Sequence, residues 1–282
     1  MADFKDKFIA FIDILGFKSL VEASEAGTGL SVDELSKVLE LFGSPDTRDR
    51  LEKLGPICCP ESKCTERNLD FRLSQASDCA VISTEISPAG AINLVHHCWG
   101  IVVAFLARGI MCRGYIMRGR IHHTANRFPI GTGYHNAYAA EGQVSVFKRE
   151  ADERGTPFVE VDPAVSDYLR ETEDSCIKEV FSRFTKSDGG TVALFPFQRL
   201  AHSFVIGGFG QKFDPEKEKK SNENMRRLLG KLKDRVMAYV NQSNPSAVRK
   251  SEHYINALNA QLAVCDRTDQ IIESLCSPKE EK

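Results

Sequence analysis

A carboxylate, Asp13, stands at the end of a predicted strand, where the chain is ready to turn into a helix. It interrupts the alternating apolar residues of KFIAFIDILGFKSL, residues 7–20, and Gly16 follows before a helical pattern begins near Phe17. Such a carboxylate can hold a divalent cation. The free backbone N–H groups of Leu15, Gly16 and Phe17 can hold phosphate oxygens at the helix N-terminus. The stretch also allows a simpler alternative, in which Asp13 only caps the helix and Gly16 only makes a turn.

A second carboxylate, Asp78, lies at the tip of a predicted hairpin. LDFRLSQASDCAVIST, residues 69–84, carries two alternating apolar runs around Ala76-Ser77-Asp78, a pattern typical of a β-hairpin. If the first strand lies antiparallel beside this hairpin, Asp13 and Asp78 approach each other. Two neighbouring carboxylates repel unless a cation lies between them. Together with the adjacent turn, the pair indicates a nucleotide site with two-metal displacement at phosphorus.

The elements around these residues predict an α+β fold with the order β-α-α-β-β-α-β and a central, mostly antiparallel sheet. After the first strand, helical patterns cover residues 18–26 and 31–41, and Ser31 with Glu34 makes a capping box for the second helix. The hairpin is followed by an apolar helix, a strand and a further helix, at residues 90–106, 111–121 and 130–144. A last strand over 157–165 and a short helix over 164–171 complete this part.

The remaining segments divide the chain into a catalytic domain, residues 1–165, and a mainly helical C-terminal extension, residues 166–282, packed on it. Within the first domain, the polar segment 44–68 reads as a loop or insertion, with a short helix near 48–54. Short apolar pieces at 192–197 and 202–209 either extend the sheet or cover its edge. Helices are predicted over 216–239 and 246–265, and disorder is predicted after about residue 276.

Composition favours a cytoplasmic protein that binds neither nucleic acid nor membrane. The net charge of the 282 residues is −2, no apolar run reaches the ~18 residues of a membrane span, and no signal peptide is recognisable. The nine cysteines are scattered, which predicts reduced thiols. Cys58, Cys59 and Cys64 lack the CxxC spacing and nearby histidine of a zinc site. His96 and His97 face different ways on one helix and are interpreted as structural.

Four motifs resemble those of class III nucleotidyl cyclases. FIDILGFKSL resembles the family's first-strand signature F-x-D-I-x-G-F-[ST]-S-L, and SDCAVIS resembles its hairpin motif. RGYIMRG is similar to the R-x-G-I-x-x-G strand, and GTGYHNAYAAE aligns without gaps to G-D-x-V-N-x-A-x-R-x-E. The resemblance covers residues 5–165 and implies a ferredoxin-like catalytic domain. The C-terminal helices lie outside the family's core domain.

The resemblance also implies roles for individual residues. The ligands of two divalent ions, Mn²⁺ or Mg²⁺, would be the side chains of Asp13 and Asp78 and the carbonyl of Ile14. The triphosphate would contact Leu15, Gly16, Phe17 and Ser19.

Other positions depart from the family pattern. Ser74 stands in place of the base-reading lysine of adenylyl cyclases, and Phe128 in place of their base-reading aspartate. The transition-state asparagine aligns with His135, beside Asn136, and the transition-state arginine aligns with Ala139. Candidates for the missing cation are the arginines of the third strand motif, Arg113, Arg118 and Arg120.

This combination resembles the pyrimidine cyclases of the bacterial Pycsar anti-phage systems. It implies a homodimeric uridylate cyclase that converts UTP to 3′,5′-cyclic UMP and diphosphate, and a downstream effector that reads the product. Ser74 can hydrogen-bond either pyrimidine. The alternatives that remain open are a cytidylate cyclase, a purine cyclase and a cyclase-fold nucleotide sensor without turnover.

Overall fold

The computed structural model describes residues 3–44, 49, 57–60, 62, 68–124, 127–197 and 214–276. The strands in these ranges are β1 Lys5–Ile14, β2 Arg72–Ala76, β3 Cys79–Thr84, β4 Cys112–Ile121, β5 Val159–Val161, β6 Thr185–Asp188 and β7 Thr191–Leu194. The helices are α1 Phe17–Glu25, α2 Val32–Leu39, α3 Pro88–Leu106, α4 Thr132–Glu141, α5 Pro163–Glu171, α6 Ser175–Phe184, α7 Pro215–Tyr239 and α8 Pro245–Cys276. A short 3₁₀ helix, Glu40–Phe42, follows α2.

One sheet organises the fold, with strand order β2-β3-β1-β4-β5-β7-β6. Strand β1 lies antiparallel between β3 and β4, and among the described strands only β4 and β5 pair in parallel. The predicted βααββαβ order and the α+β class are therefore confirmed. Strands β6 and β7 extend the sheet past residue 165, while the domain boundary proposed there stays a prediction.

Both faces of β1 are covered, since its alternating side chains are buried on each side. Phe8, Ala10 and Ile12 belong to the core that α3 covers. Ile9 and Phe11 pack in a smaller cluster against α4. Because side chains alternate along a strand, Asp13 follows Ile9 and Phe11 on the α4 face.

Helix α3 is long and apolar enough to span a bilayer by length and composition, but 72% of its most apolar window is buried inside the protein. The ring of His97 contacts Phe71, and the ring of His96 contacts Phe184. Burial lowers the pKa of His97 to about 4, so that ring is neutral. These contacts agree with the structural interpretation of both histidines.

The C-terminal half differs from its prediction in detail. Helix α8 ends at Cys276 rather than near residue 265, and α6 and β6 were not predicted as separate elements. Helix α5 begins at Pro163, so the strand predicted over 157–165 is shorter. The segments 202–209 and 277–282 and nearly all of 48–54 lie outside the described residues.

Helices α7 and α8 enclose a second core with the end of the sheet. This core contains Leu229, Leu232 and Val236 of α7 and Tyr254 and Leu258 of α8. Ala193 of β7 lies in the same core, while the division of the chain into a core domain and an extension stays a prediction.

The prediction of reduced thiols is wrong for one pair, since Cys59 and Cys176 form a disulfide. The two residues are 117 positions apart, and scattered cysteines carry no signal that would pair them. The bond ties the segment around Cys59 to α6. Of the other thiols considered, Cys58 is buried and free, and Cys64 lies outside the described residues.

Candidate active site

The two predicted carboxylates converge where β1 leaves the sheet. Asp13 pairs with Cys79 of β3, the residue directly after Asp78. The amide of Ile14 donates to the carbonyl of Asp78 at 3.0 Å. Ser77, at the hairpin tip, has a positive φ of 52°. The hairpin prediction is therefore confirmed, and its register brings the two aspartates together.

Asp13 lies in an environment that disfavours its charge. Its pKa rises from 3.8 to about 7, first because it is buried, then because Glu141 and Asp78 are nearby. Arg113 and Lys250 act in the opposite direction. Because the nearby acids raise this pKa more than the nearby cations lower it, a bound divalent ion would stabilise the charged form of Asp13.

Arg113 is placed beside Asp13 but is already paired. It faces Asp13 across β1 and β4, and its Nε donates to Glu141 at the end of α4. Its Nη1 also donates to the carbonyl of Gly155 at 3.4 Å. Both partners of the ion pair are mostly buried. Arg113 therefore holds α4 against β4 next to the carboxylates.

The turn after β1 has the geometry of an anion site, with one correction. Gly16 has φ +80°, a left-handed conformation that suits glycine, and precedes α1 without a side-chain cap. The Leu15 amide was predicted to be free, but it donates to the carbonyl of Met111 at 3.0 Å. Within the described part of the chain, the Gly16 and Phe17 amides donate no main-chain bond. Ser19 is exposed one turn further on.

The two predicted base-reading positions lie close together. The hydroxyl of Ser74 donates to the carbonyl of Arg127 at 2.8 Å, which places Ser74 next to Phe128. The Phe128 side chain is 42% exposed, and its ring contacts Tyr134 edge-on. Ser74 pairs with Val81, which pairs with Phe11, so Ser74 shares the sheet face of Asp13.

A buried histidine, His123, controls the polarity of Ser74. Its Nε2 lies 3.0 Å from Ser74 Oγ and its Nδ1 lies 2.9 Å from Ser83 Oγ. Burial and the nearby Lys7 and Arg72 lower the pKa of His123 to about 3. The ring is therefore neutral, with a proton on only one of its two nitrogens. Since the Ser74 hydroxyl donates to Arg127, that proton belongs on Nε2. Ser74 then offers a ligand only an acceptor lone pair.

Among the described residues, no hydrogen bond or ion pair joins Asp13 to three of the predicted residues, Arg118, His135 and Asn136. Arg118 lies five positions along β4 from Arg113, roughly 17 Å away at the rise of a strand, and pairs with Asp6. His135 and Asn136 are exposed on α4. The roles of all three residues stay predictions.

Three further residues surround the site without a role predicted from sequence. Glu141 and Lys250 act on Asp13 as described above. The hydroxyl of Tyr239 donates to the carbonyl of Leu15 at 3.2 Å. Burial and the neighbouring Asp78, Cys112 and Asp13 raise the Tyr239 pKa, so the phenol stays protonated. Glu141 could have been found from the GTGYHNAYAAE motif, whereas the other two carry no sequence signal.

The donor set fits a hard divalent cation delivered with a substrate. Among the described residues, no cluster of three His, Cys, Asp or Glu side chains could hold a metal ion by itself. Mg²⁺ is commonly held by one or two carboxylates together with substrate phosphates. Asp13 and Asp78 would supply the carboxylates, and a bound cation would favour the charged form of Asp13, whose pKa is raised first by burial and then by Glu141 and Asp78.

Similarity to known proteins is found among solved structures. No protein-family profile matches the chain, and no curated protein matches it. Among 11 matching chains of solved structures is the catalytic core of a rhodopsin-guanylyl cyclase with converted specificity, in complex with ATPalphaS. It is 13% identical, covering 68% of this chain and 97% of that one, with a TM-score of 0.40. Another is the monomeric guanylyl cyclase domain of the RhoGC fusion protein from the aquatic fungus Blastocladiella emersonii. It is 11% identical to this chain, and the match covers 68% of this chain and 96% of that domain, with a TM-score of 0.37.

Proposed function

We propose that the chain is a nucleotidyl cyclase that converts UTP to 3′,5′-cyclic UMP and diphosphate. The observation that carries this proposal is the convergence of Asp13 and Asp78 beside a turn with free amides. The resemblance of four sequence motifs to class III cyclases supports the same reaction. The product would act as a second messenger read by an effector, in an anti-phage role that the resemblance to pyrimidine cyclases implies.

In this reaction the ribose 3′-oxygen forms a bond to the α-phosphorus while the bond from that phosphorus to the diphosphate oxygen breaks. The 3′-hydroxyl loses its proton, and diphosphate leaves. Two divalent ions held by Asp13, Asp78 and the Ile14 carbonyl would supply activation of the attacking oxygen and neutralisation of the leaving group. The amides of Gly16 and Phe17 bind phosphate oxygens. Lys250 adds positive charge on the same side of the site.

The preference for a pyrimidine is supported by the surroundings of Ser74. An acceptor at this position pairs with the N3–H of uracil or with the 4-amino group of cytosine. Phe128 offers an exposed ring on which a base can stack. Neither residue supplies a charged partner for the ring nitrogen and amino group of adenine, so ATP should be a poor substrate.

We further propose that the chain acts as a head-to-tail homodimer. His135 and Asn136 are exposed on α4, so a two-fold partner can present them to the site of the other chain. An Asp13→Asn chain and an Asn136→Ala chain should each be inactive alone and regain activity when mixed, because one site of the heterodimer is then wild type. Failure to complement despite subunit exchange would exclude this arrangement.

The deciding experiment incubates the purified chain with each of the four nucleoside triphosphates and Mn²⁺, followed by mass spectrometry of the products. We expect cyclic UMP as the main product, and none from Asp13→Asn or Asp78→Asn. In a competition of UTP with ATP, equal or better use of ATP would contradict the assignment of Ser74 and Phe128. Nucleotide binding without any cyclic product would favour the sensor alternative, which the alanine at position 139 also favours.

A further inference from the structure

The C-terminal helix α7 contacts the phosphate-binding turn directly. Its final residue, Tyr239, donates from its hydroxyl to the carbonyl of Leu15, the residue before Gly16. The ring of Tyr239 packs against the core that α3 covers, so the hydroxyl is held in place by packing as well as by the hydrogen bond. This contact joins positions 224 residues apart in the chain.

The turn is anchored on both sides by different parts of the protein. The Leu15 side chain is buried in the second core, which also contains Val236 and Val240 near the end of α7. The Phe17 side chain is buried in the first core. Between them, Gly16 is exposed. The orientation of its amide therefore depends on how firmly Leu15 is held.

Helix α7 is fixed to the protein one turn before Tyr239. A Cβ added to Gly109 would lie 2.4 Å from the backbone of Arg235, so only glycine allows this approach. The Arg235 side chain donates to the carbonyl of Ala107. The carbonyl of Met111, in the same connection between α3 and β4, accepts from the Leu15 amide. The end of α7 is thus held against two neighbouring segments.

We propose that Tyr239 is a positioning residue for the phosphate-binding turn, which makes the C-terminal helices part of the active site. The inference rests on the proposed function for its ligand, a nucleoside triphosphate. Through Leu15, Tyr239 fixes the direction of the Gly16 and Phe17 amides before the phosphates arrive. A preorganised set of donors binds an anion more tightly than one that must be ordered on binding.

The test compares Tyr239→Phe with Tyr115→Phe. Both variants lose one hydroxyl hydrogen bond, but the Tyr115 hydroxyl donates to Asp162, at 3.0 Å, and not to the turn. In the peptide covering residues 14–18, the bonded amides of Ile14 and Leu15 should exchange about three- to tenfold faster in Tyr239→Phe without any ligand, the size expected for one neutral hydrogen bond. Exchange in Tyr115→Phe should equal the wild type there. Equal exchange in all three proteins would overturn the inference.

A second measurement uses inorganic triphosphate with Mn²⁺, which has no base and cannot cyclise. Its affinity, by calorimetry, should fall about three- to tenfold in Tyr239→Phe and stay unchanged in Tyr115→Phe. Unchanged affinity in Tyr239→Phe would also overturn the inference. If the wild type binds neither triphosphate nor UTP, the proposed function fails, and the exchange experiment alone then decides the role of Tyr239.

Discussion

The raised pKa of Asp13 predicts that removing its charge stabilises the protein without metal. Between pH 3.8 and about 7 the folded state holds a proton that the unfolded chain has released. The free energy of unfolding therefore falls as pH rises through this range, and the whole cost is present above pH 7. Asp13→Asn has no carboxyl to ionise, so it should be more stable than the wild type at pH 8 and similar to it near pH 4.

The size of this effect follows from the pKa. A rise from 3.8 to about 7 corresponds to about 4 kcal/mol. The Asp13 side chain is partly exposed, so water screens its interactions, and we halve the figure to about 2 kcal/mol. For a chain of this size that is a rise of about 4 °C in the midpoint of thermal unfolding.

The assay is thermal unfolding with a chelator from pH 4 to 8. Asp234→Asn is the matched control, because Asp234 is exposed on α7 and its loss changes the charge equally. Mn²⁺ added at pH 8 should then stabilise the wild type and not Asp13→Asn. The reasoning is refuted if Asp13→Asn is no more stable than the wild type at pH 8. It is also refuted if the difference between their unfolding midpoints is as large at pH 4 as at pH 8.

Two further changes test the surroundings of Asp13. Lys250 lowers the pKa of Asp13, so Lys250→Met should move the acid limb of the pH–activity profile to higher pH. The control is Arg249→Met, at an exposed neighbouring position, which should move this limb little. An acid limb that does not move in Lys250→Met would exclude Lys250 from the site. Glu141→Ala removes the ion-pair partner of the mostly buried Arg113, so urea unfolding should show a loss of about 3 kcal/mol. A loss below about 1 kcal/mol would mean that the ion pair does not hold α4.

Much of the fold could be predicted from local patterns. The apolar residues of β1 predicted a buried strand, and Gly16 predicted a turn, which it makes with a positive φ. The apolar run after Pro88 predicted the helix that became α3. These predictions succeed because hydrophobic period and turn chemistry are properties of neighbouring residues. The approach of Asp13 to the hairpin was predicted on the condition that the first strand lies antiparallel beside it, and the observed register meets that condition.

Other features were decided only when distant segments met. The Leu15 amide is hydrogen-bonded to the carbonyl of Met111, and Cys59 forms a disulfide with Cys176, 117 residues away in the chain. Tyr239 and Lys250 look like ordinary helix residues in the sequence. They come close to the site only because α7 and α8 pack against it. A hydrogen bond or a charge acts over a few ångströms of space, whatever the separation of the two residues along the chain. Local sequence patterns were therefore sufficient to predict most elements up to α4 and the candidate carboxylates, whereas the residues that surround those carboxylates depend on tertiary contacts.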